Sequence, residues 1–131
     1  LLAYVNGEPA GWCAIAPRSE YPVLDRSRVL ARVDDAPVWS VTCFFVARKY
    51  RYSGLTVALL RAAVEHARRR GACVVEGYPI DPAGGKTADA FAYTGLESAF
   101  RDAGFVEVLR RSPTRPIMRA VMRAVPRGPA R

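Results

Sequence analysis

The chain has one histidine and three cysteines, Cys13, Cys43 and Cys73, each thirty residues from the next. There is no C-x-x-C pair and the cysteine count is odd. A zinc cluster and a disulfide framework are therefore both excluded. The cysteines sit among apolar or β-branched neighbours and read as small core residues in a reducing compartment. Lysine is scarce, with Lys49 and Lys86 the two exceptions among 20 basic residues. No apolar run approaches the roughly 18–20 residues of a membrane span, and no signal-peptide pattern is visible. These absences predict a cytoplasmic protein with no metal and no membrane partner.

What is present is a globular composition, 50% hydrophobic and 24% charged, over 131 residues. That length suits one domain with a real core and is too short for two ordinary ones. The net charge of +8 is unevenly spread. Seven arginines and no acid lie from Arg110 onward, which leaves residues 1–109 with a single net positive charge. The expected division is a domain over residues 1–120 and a basic tail over 121–131. A terminal arginine cluster can grip phosphates. The near-neutral body has no reading motif, so nucleic acid is an unfavoured partner.

Along the chain, Leu1–Val5 and Ala10–Ile15 read as a hairpin turned by Asn6-Gly7, the preferred type I′ pair. Residues 17–37 form a long polar connection with Pro17, Pro22 and Pro37, in which Tyr21–Leu30 is a candidate short helix. Connections of this length inside a compact domain are usually functional. Val38–Val46 is almost continuously hydrophobic, as a central strand buried on both faces should be. From Gly54 to Arg70, Leu55, Leu59, Leu60, Ala63, Val64 and Ala67 make an apolar helical stripe. Arg68-Arg69-Arg70 suit the last turn, and Gly71 suits the position after it. Ala72–Tyr78 is a second buried strand, completing a βαβ unit with a right-handed crossover. A loop over Asp81–Asp89, a short helix over Gly95–Ala103 and a strand over Phe105–Arg111 follow. Arg115–Arg119 is open to two readings: a last strand, or the start of a basic amphipathic helix with Pro116 in its first turn. This order predicts a mixed α/β sheet with helices on both faces.

The stretch Val46-Ala-Arg-Lys-Tyr-Arg51-Tyr-Ser-Gly54-Leu-Thr56 carries the chemistry. A central strand runs through a short basic loop directly into a helix. The first N–H groups of that helix lack intrahelical partners, and its dipole adds partial positive charge. Gly54 lets a ligand approach the backbone closely. Arg48, Lys49 and Arg51 add full charges. Together they form an anion cradle suited to a pyrophosphate. There is no G-x-G-x-x-G, and Gly85-Lys86-Thr87 lacks the first glycine of a P-loop, since Ile80 stands in its place.

Arg51-Tyr52-Ser53-Gly54-Leu55-Thr56 resembles the R/Q-x-x-G-x-G/A loop of the GNAT superfamily of acyl-CoA-dependent N-acyltransferases. The preceding strand, the helix to Gly71, the strand ending Glu76-Gly77-Tyr78-Pro79, the helix ending Ala103-Gly104-Phe105 and the final strands follow the family's order, so the resemblance covers about residues 1–120. It is greatest to a bacterial subgroup with E-x-Y-P after the loop helix. The resemblance implies a GNAT-like fold and acetyl-CoA as co-substrate. Amides from Tyr52 through Ser53, Gly54, Leu55 and Thr56 to Val57 would hold the pyrophosphate. The edge of Phe44-Phe45-Val46 would pair with the pantetheine arm, as strand 38–46 splays from strand 72–78. A backbone N–H near Phe45 or Val46 would polarise the thioester carbonyl. Ser98 is a candidate contact for the pantetheine arm, or simply a favourable residue for the first helical turn.

Direct transfer to a primary amine needs one proton removed from the amine and one given to the thiolate. Glu76 is the candidate base, and it reads equally well as a carboxylate that accepts hydrogen bonds from a neighbouring Arg and supports the site. Asp34 and Asp35 are lesser candidates, read first as solvated loop residues. His66 reads as a surface or packing residue, and Trp12 and Trp39 as core or wall. Many family members carry a tyrosine acid four residues before the Gly of the Gly-Phe pair. Phe100 stands there in this chain. Tyr93 and Tyr78 are the substitutes, with water as a third proton source. Arg48 replaces a proline that many members have after the central strand. The sequence begins at what would be the family's second strand, so the expectation is an N-terminally incomplete domain whose acceptor pocket lacks one wall. The acceptor, small molecule or protein, is unspecified, and a homodimer through an exposed last strand is expected. The competing readings are a non-catalytic acyl-CoA-binding or sensing domain and a nucleic-acid-associated protein acting through its arginine-rich end.

Overall fold

A computed structural model describes residues 1–50, 54–82 and 97–122. Six strands form one mixed sheet: β1 (Leu2–Val5), β2 (Glu8–Pro17), β3 (Trp39–Val46), β4 (Val74–Gly77), β5 (Val106–Arg110) and β6 (Pro116–Val121). Their order across the sheet is β1-β2-β3-β4-β6-β5. Two described α-helices accompany them, α1 (Leu55–Arg69) and α2 (Glu97–Asp102). The first hairpin turns at Asn6 and Gly7, both with positive φ, as a type I′ turn requires. Helix α1 links the parallel pair β3 and β4. It buries Leu59, Leu60, Ala63 and Ala67, four residues of its apolar stripe.

The sheet's two faces can be separated by strand alternation. Val41, Val75 and Met118 point into the core shared with α1 and with Phe100 of α2. Ile117, next to Met118, lies in a second cluster with Leu24 and Tyr78. Both described helices thus pack on one face, where helices on both faces were expected. The opposite face is covered by the 17–37 segment, here called the strap. The strap contains two 3-10 turns, Arg18–Glu20 and Pro22–Arg26, in place of a helix over Tyr21–Leu30. Pro22 starts the second turn, and Ser27 is already extended. Leu24 plugs the turn into the sheet, and Tyr21, Leu30 and Val33 pack beside it. The strap leaves Leu2, Tyr4, Trp12 and Phe45 exposed.

The ambiguous final segment is strand β6, which pairs antiparallel with β4 on one side and β5 on the other. It therefore lies inside the sheet, and β5 is the edge strand. The alternative helix would have set Ile117 and Val121 on one apolar face, whereas Ile117 is fully buried and Val121 exposed.

Phe100 fixes where α2 sits. Its ring is fully buried and makes edge-to-face contacts with Phe44 and Phe105, at centroid distances of 5.8 and 5.0 Å. The edge of its ring abuts Gly77, where an added Cβ would overlap the ring. Gly77→Ala is expected to destabilise the fold by about 1–3 kcal/mol, the usual cost of overpacking. Urea unfolding of the variant, compared with the parent chain, measures this.

Candidate functional site

Strands β3 and β4 pair over three positions only: Trp39 with Val75, Ser40 with Glu76 and Val41 with Gly77. Beyond Val41, β3 runs on to Val46 while β4 has ended. On its other side β3 stays paired with β2 as far as Val46, but the register shifts. Ala14 pairs with Cys43 and Ile15 with Val41, so Thr42 is the extra residue of a bulge. A bulge bends its strand and increases its twist. This one falls where β3 leaves β4. Among the described residues, the β4-facing edge of β3 from Thr42 to Phe45 is thus opened by a defined irregularity in the backbone.

The open edge leads to the cradle. Arg48–Tyr50 form a single 3-10 turn after β3, with Lys49 3.1 Å from Glu8. Gly54 is the N-cap of α1, in the left-handed region at φ +83. Nothing lies within 4 Å of where its Cβ would be, so the backbone angle is what calls for glycine here. The first helical bond runs from the Ala58 amide to the Gly54 carbonyl at 3.1 Å. The amides of Leu55, Thr56 and Val57 precede it and have no intrahelical acceptor. Phe44 is buried and offers a ligand only its backbone, whereas Phe45 is 40% exposed beside its cross-strand neighbour Trp12. Ser98 is exposed on α2. Arg51, Tyr52, Ser53 and Tyr93 lie outside the described residues.

Glu76 and Tyr78 belong to a different cluster, under the strap. Glu76 is 1% exposed. Its Oε1 accepts from Arg18 Nη1 at 2.8 Å and from the Tyr78 hydroxyl at 2.8 Å, and its Oε2 accepts from Arg119 Nε at 2.7 Å. The Tyr78 oxygen lies 2.6 Å from Ser40 Oγ and 2.8 Å from Arg18 Nη1. Burial, then the Glu76 charge, pushes the Tyr78 hydroxyl above its ordinary pKa, so it stays protonated. Arg18 continues to Asp25 at 2.9 Å, and Arg119 grips both Asp34 oxygens at 2.8 and 2.9 Å. Of the two readings of Glu76, the arginine hydrogen bonds are the ones present. Arg18, Arg119 and Ser40 were not singled out from the sequence. An acid in a buried strand demands a cation, and the alternation around Ile117 would have led to Arg119. Arg18 is brought in by the strap and has no comparable signal.

The remaining candidates are dispersed. Asp35 is fully exposed, 3.9 Å from Arg32. His66 stands edge-on to Trp39 at 6.3 Å, and burial and Arg70 lower its pKa. Burial pushes the Cys13 thiol up to about 11, as for a core cysteine, whereas Cys43 is half-buried and Cys73 is exposed rather than in the core. Among the described residues no cluster of His, Cys, Asp or Glu could hold a metal ion. No described helix is long and apolar enough to cross a membrane. A cavity of about 570 Å³, lined by Arg18, Arg32, Trp39, Arg70 and Cys73 among others, opens at the other end of β3 and β4, away from the cradle.

A parallel strand pair that parts beside a glycine-started helix, in a six-stranded mixed sheet, defines the class as an α/β domain. Residues 1–79, more than half of the chain, match the Acetyltransferase (GNAT) family, and the chain belongs to that family. No curated protein sequence matches it.

Two predictions follow from the buried cluster. Arg18→Met should cost about 3 kcal/mol or more, because Glu76 stays buried with one cation fewer. Adding Glu76→Leu should recover part of that loss, and chemical denaturation of both variants tests the pair. The second prediction concerns acid. Hydrogen bonds from Arg18 and Arg119 hold the Asp25 and Asp34 carboxyls below their ordinary range. Their contribution to stability is complete above the unfolded pKa and is lost as pH falls through the folded one. The melting temperature should therefore decline between about pH 5 and pH 3, and less steeply in Asp34→Asn.

Proposed function

We propose that the domain transfers an acetyl group from acetyl-CoA to a primary amine, by direct attack of the amine nitrogen on the thioester carbonyl. The observation that carries this reading is the opened β3 edge leading into the Gly54 cradle, in a chain of the GNAT family. The residues fit the co-substrate. The Leu55, Thr56 and Val57 amides supply donors for a pyrophosphate, and Arg48, exposed in the turn after β3, precedes them in the chain. The Thr42–Phe45 edge offers backbone groups to an extended amide-bearing arm, as an added strand would use them. Acetyl-CoA brings the activated acyl group.

In the transfer, the new C–N bond forms as the C–S bond breaks. The nitrogen loses a proton and the departing thiolate takes one. Glu76 enters as a positioning residue. Its carboxylate is saturated by Arg18, Tyr78 and Arg119, and it anchors the strap beneath the opened strands. Water carries the protons in this reading, with Tyr93 as the candidate acid from the chain.

The second reading is an acyl-CoA-binding domain without turnover. Phe100 favours it, since a fully buried phenyl ring stands at the position where many relatives carry a proton donor. Calorimetry with coenzyme A and thiol release from acetyl-CoA over an amine panel separate the two. Binding with amine-dependent thiol release supports transfer, and binding alone supports the sensor. No heat with coenzyme A would overturn both. Gly54→Val should weaken coenzyme A binding about tenfold or more, because a β-branched residue at that φ costs roughly 1–2 kcal/mol and displaces the helix start.

A further inference from the structure

Around the strap, Arg26 and Arg28 are exposed to solvent, and the more buried arginines are neutralised by acids. Arg18 pairs with Asp25 and Glu76, Arg32 with Asp25 and Asp35, and Arg119 with Asp34 and Glu76. Arg110 pairs with Asp81 and Glu107. Arg111 donates to the carbonyls of Val29, Ala31 and Arg32, tying the strap to the β5–β6 turn.

Among the described arginines that are buried or half-buried, Arg115 is the exception. It is partly buried, and no carboxylate among the described residues pairs with it. Its one hydrogen bond there runs from Nη2 to the Tyr78 carbonyl at 3.2 Å. Its Nε is buried without a partner, and so is the Ser112 hydroxyl three residues earlier in the same turn. Burial alone shifts its pKa, downward, whereas acidic partners raise those of Arg18, Arg110 and Arg119. A partly desolvated cation without a counter-charge is costly to the fold.

Its position is specific. Tyr78 follows Gly77, which makes the last β3–β4 pair before the strands part. The alternation that sets Ile117 and Arg119 on the strap face carries back to Arg115. The guanidinium thus stands beside the opening, on the face away from α1 and α2.

We propose that Arg115 binds an anionic group on the acceptor, so that the amine taken by this domain carries a carboxylate or a phosphate. This rests on the acetyl-transfer reading. The anion would meet the free edge of the guanidinium while the amine reaches the opening between β3 and β4. Such charge-assisted bonds discriminate strongly against a ligand that lacks the anion.

The test compares propylamine, 3-aminopropanoate and 2-aminoethyl phosphate as acceptors at saturating acetyl-CoA. The expected result is a kcat/KM about tenfold or more higher for at least one anionic amine than for propylamine. Which of the two it is distinguishes carboxylate from phosphate. In Arg115→Gln the ratio should collapse to about one, and in Arg115→Lys it should be partly restored. Equal rates for all three amines in the parent chain, or an undiminished ratio in Arg115→Gln, would overturn the proposal; the parent-chain comparison stands even if a variant fails to fold. If no amine is acetylated, the transfer reading fails instead. The anion site is then decided by calorimetry of 3-aminopropanoate and propylamine against the coenzyme A-bound protein, where equal binding rejects it.

Discussion

Two parallel strands that part must be held apart by something other than each other. In this domain β2 does most of the holding. It pairs with β3 along nearly the whole strand, from Pro17 with Trp39 to Gly11 with Val46. β3 can therefore leave β4 without fraying. The bulge at Thr42 sets where the bend begins. On the helix face Phe44 keeps its ring in the core against Phe100, so that the departing strand stays anchored by a side chain while its edge is open. Among the described residues the opening follows from backbone pairing.

The other face is organised by charge. Glu76 stands on β4 directly opposite Ser40 of β3 and Arg119 of β6. A lone carboxylate there would be prohibitively costly, and two guanidiniums and a phenol offset that cost. Each guanidinium has a second acid in the strap, Asp25 or Asp34. The buried charge therefore specifies where the strap lies as well as how the strands stack. Such a network adds little net stability compared with apolar packing, but it is specific, because a displaced strap would leave a buried charge unpaired.

Much of this architecture was legible in the sequence because it follows from period and turn chemistry. The Asn6-Gly7 hairpin, the Val38–Val46 strand, the Leu55-to-Ala67 stripe and the Ala72–Tyr78 strand rest on local patterns, and each element formed near its expected bounds. Gly54 as the start of α1 was equally readable. The strap was not. Its residues have no dominant period, and what shapes them is the placement of Leu24, Arg18 and Asp34 against strands far away in sequence. Phe100 was recognised as a departure from a family pattern, but its packing on Gly77 depends on a contact between α2 and β4 that no local window contains. The state of Arg115 is likewise visible only once the other buried and half-buried arginines, Arg18, Arg68, Arg110 and Arg119, have been matched to their acids.

The two ends of the β3–β4 pair differ in character. The cavity at the start of these strands is roomy, but the acids that line it, Asp25 and Asp35, already pair with Arg18 and Arg32. At the far end, among the described residues, Arg48 is exposed at the end of β3, the first amides of α1 lack intrahelical acceptors, and Arg115 beside Tyr78 has no carboxylate. An end that collects uncompensated positive character at several independent places is suited to ligands that arrive with negative charge. A pyrophosphate on one side and an anionic acceptor on the other would both be drawn to it. The amine, as the neutral nucleophile between them, would be left the uncharged ground where the strands separate.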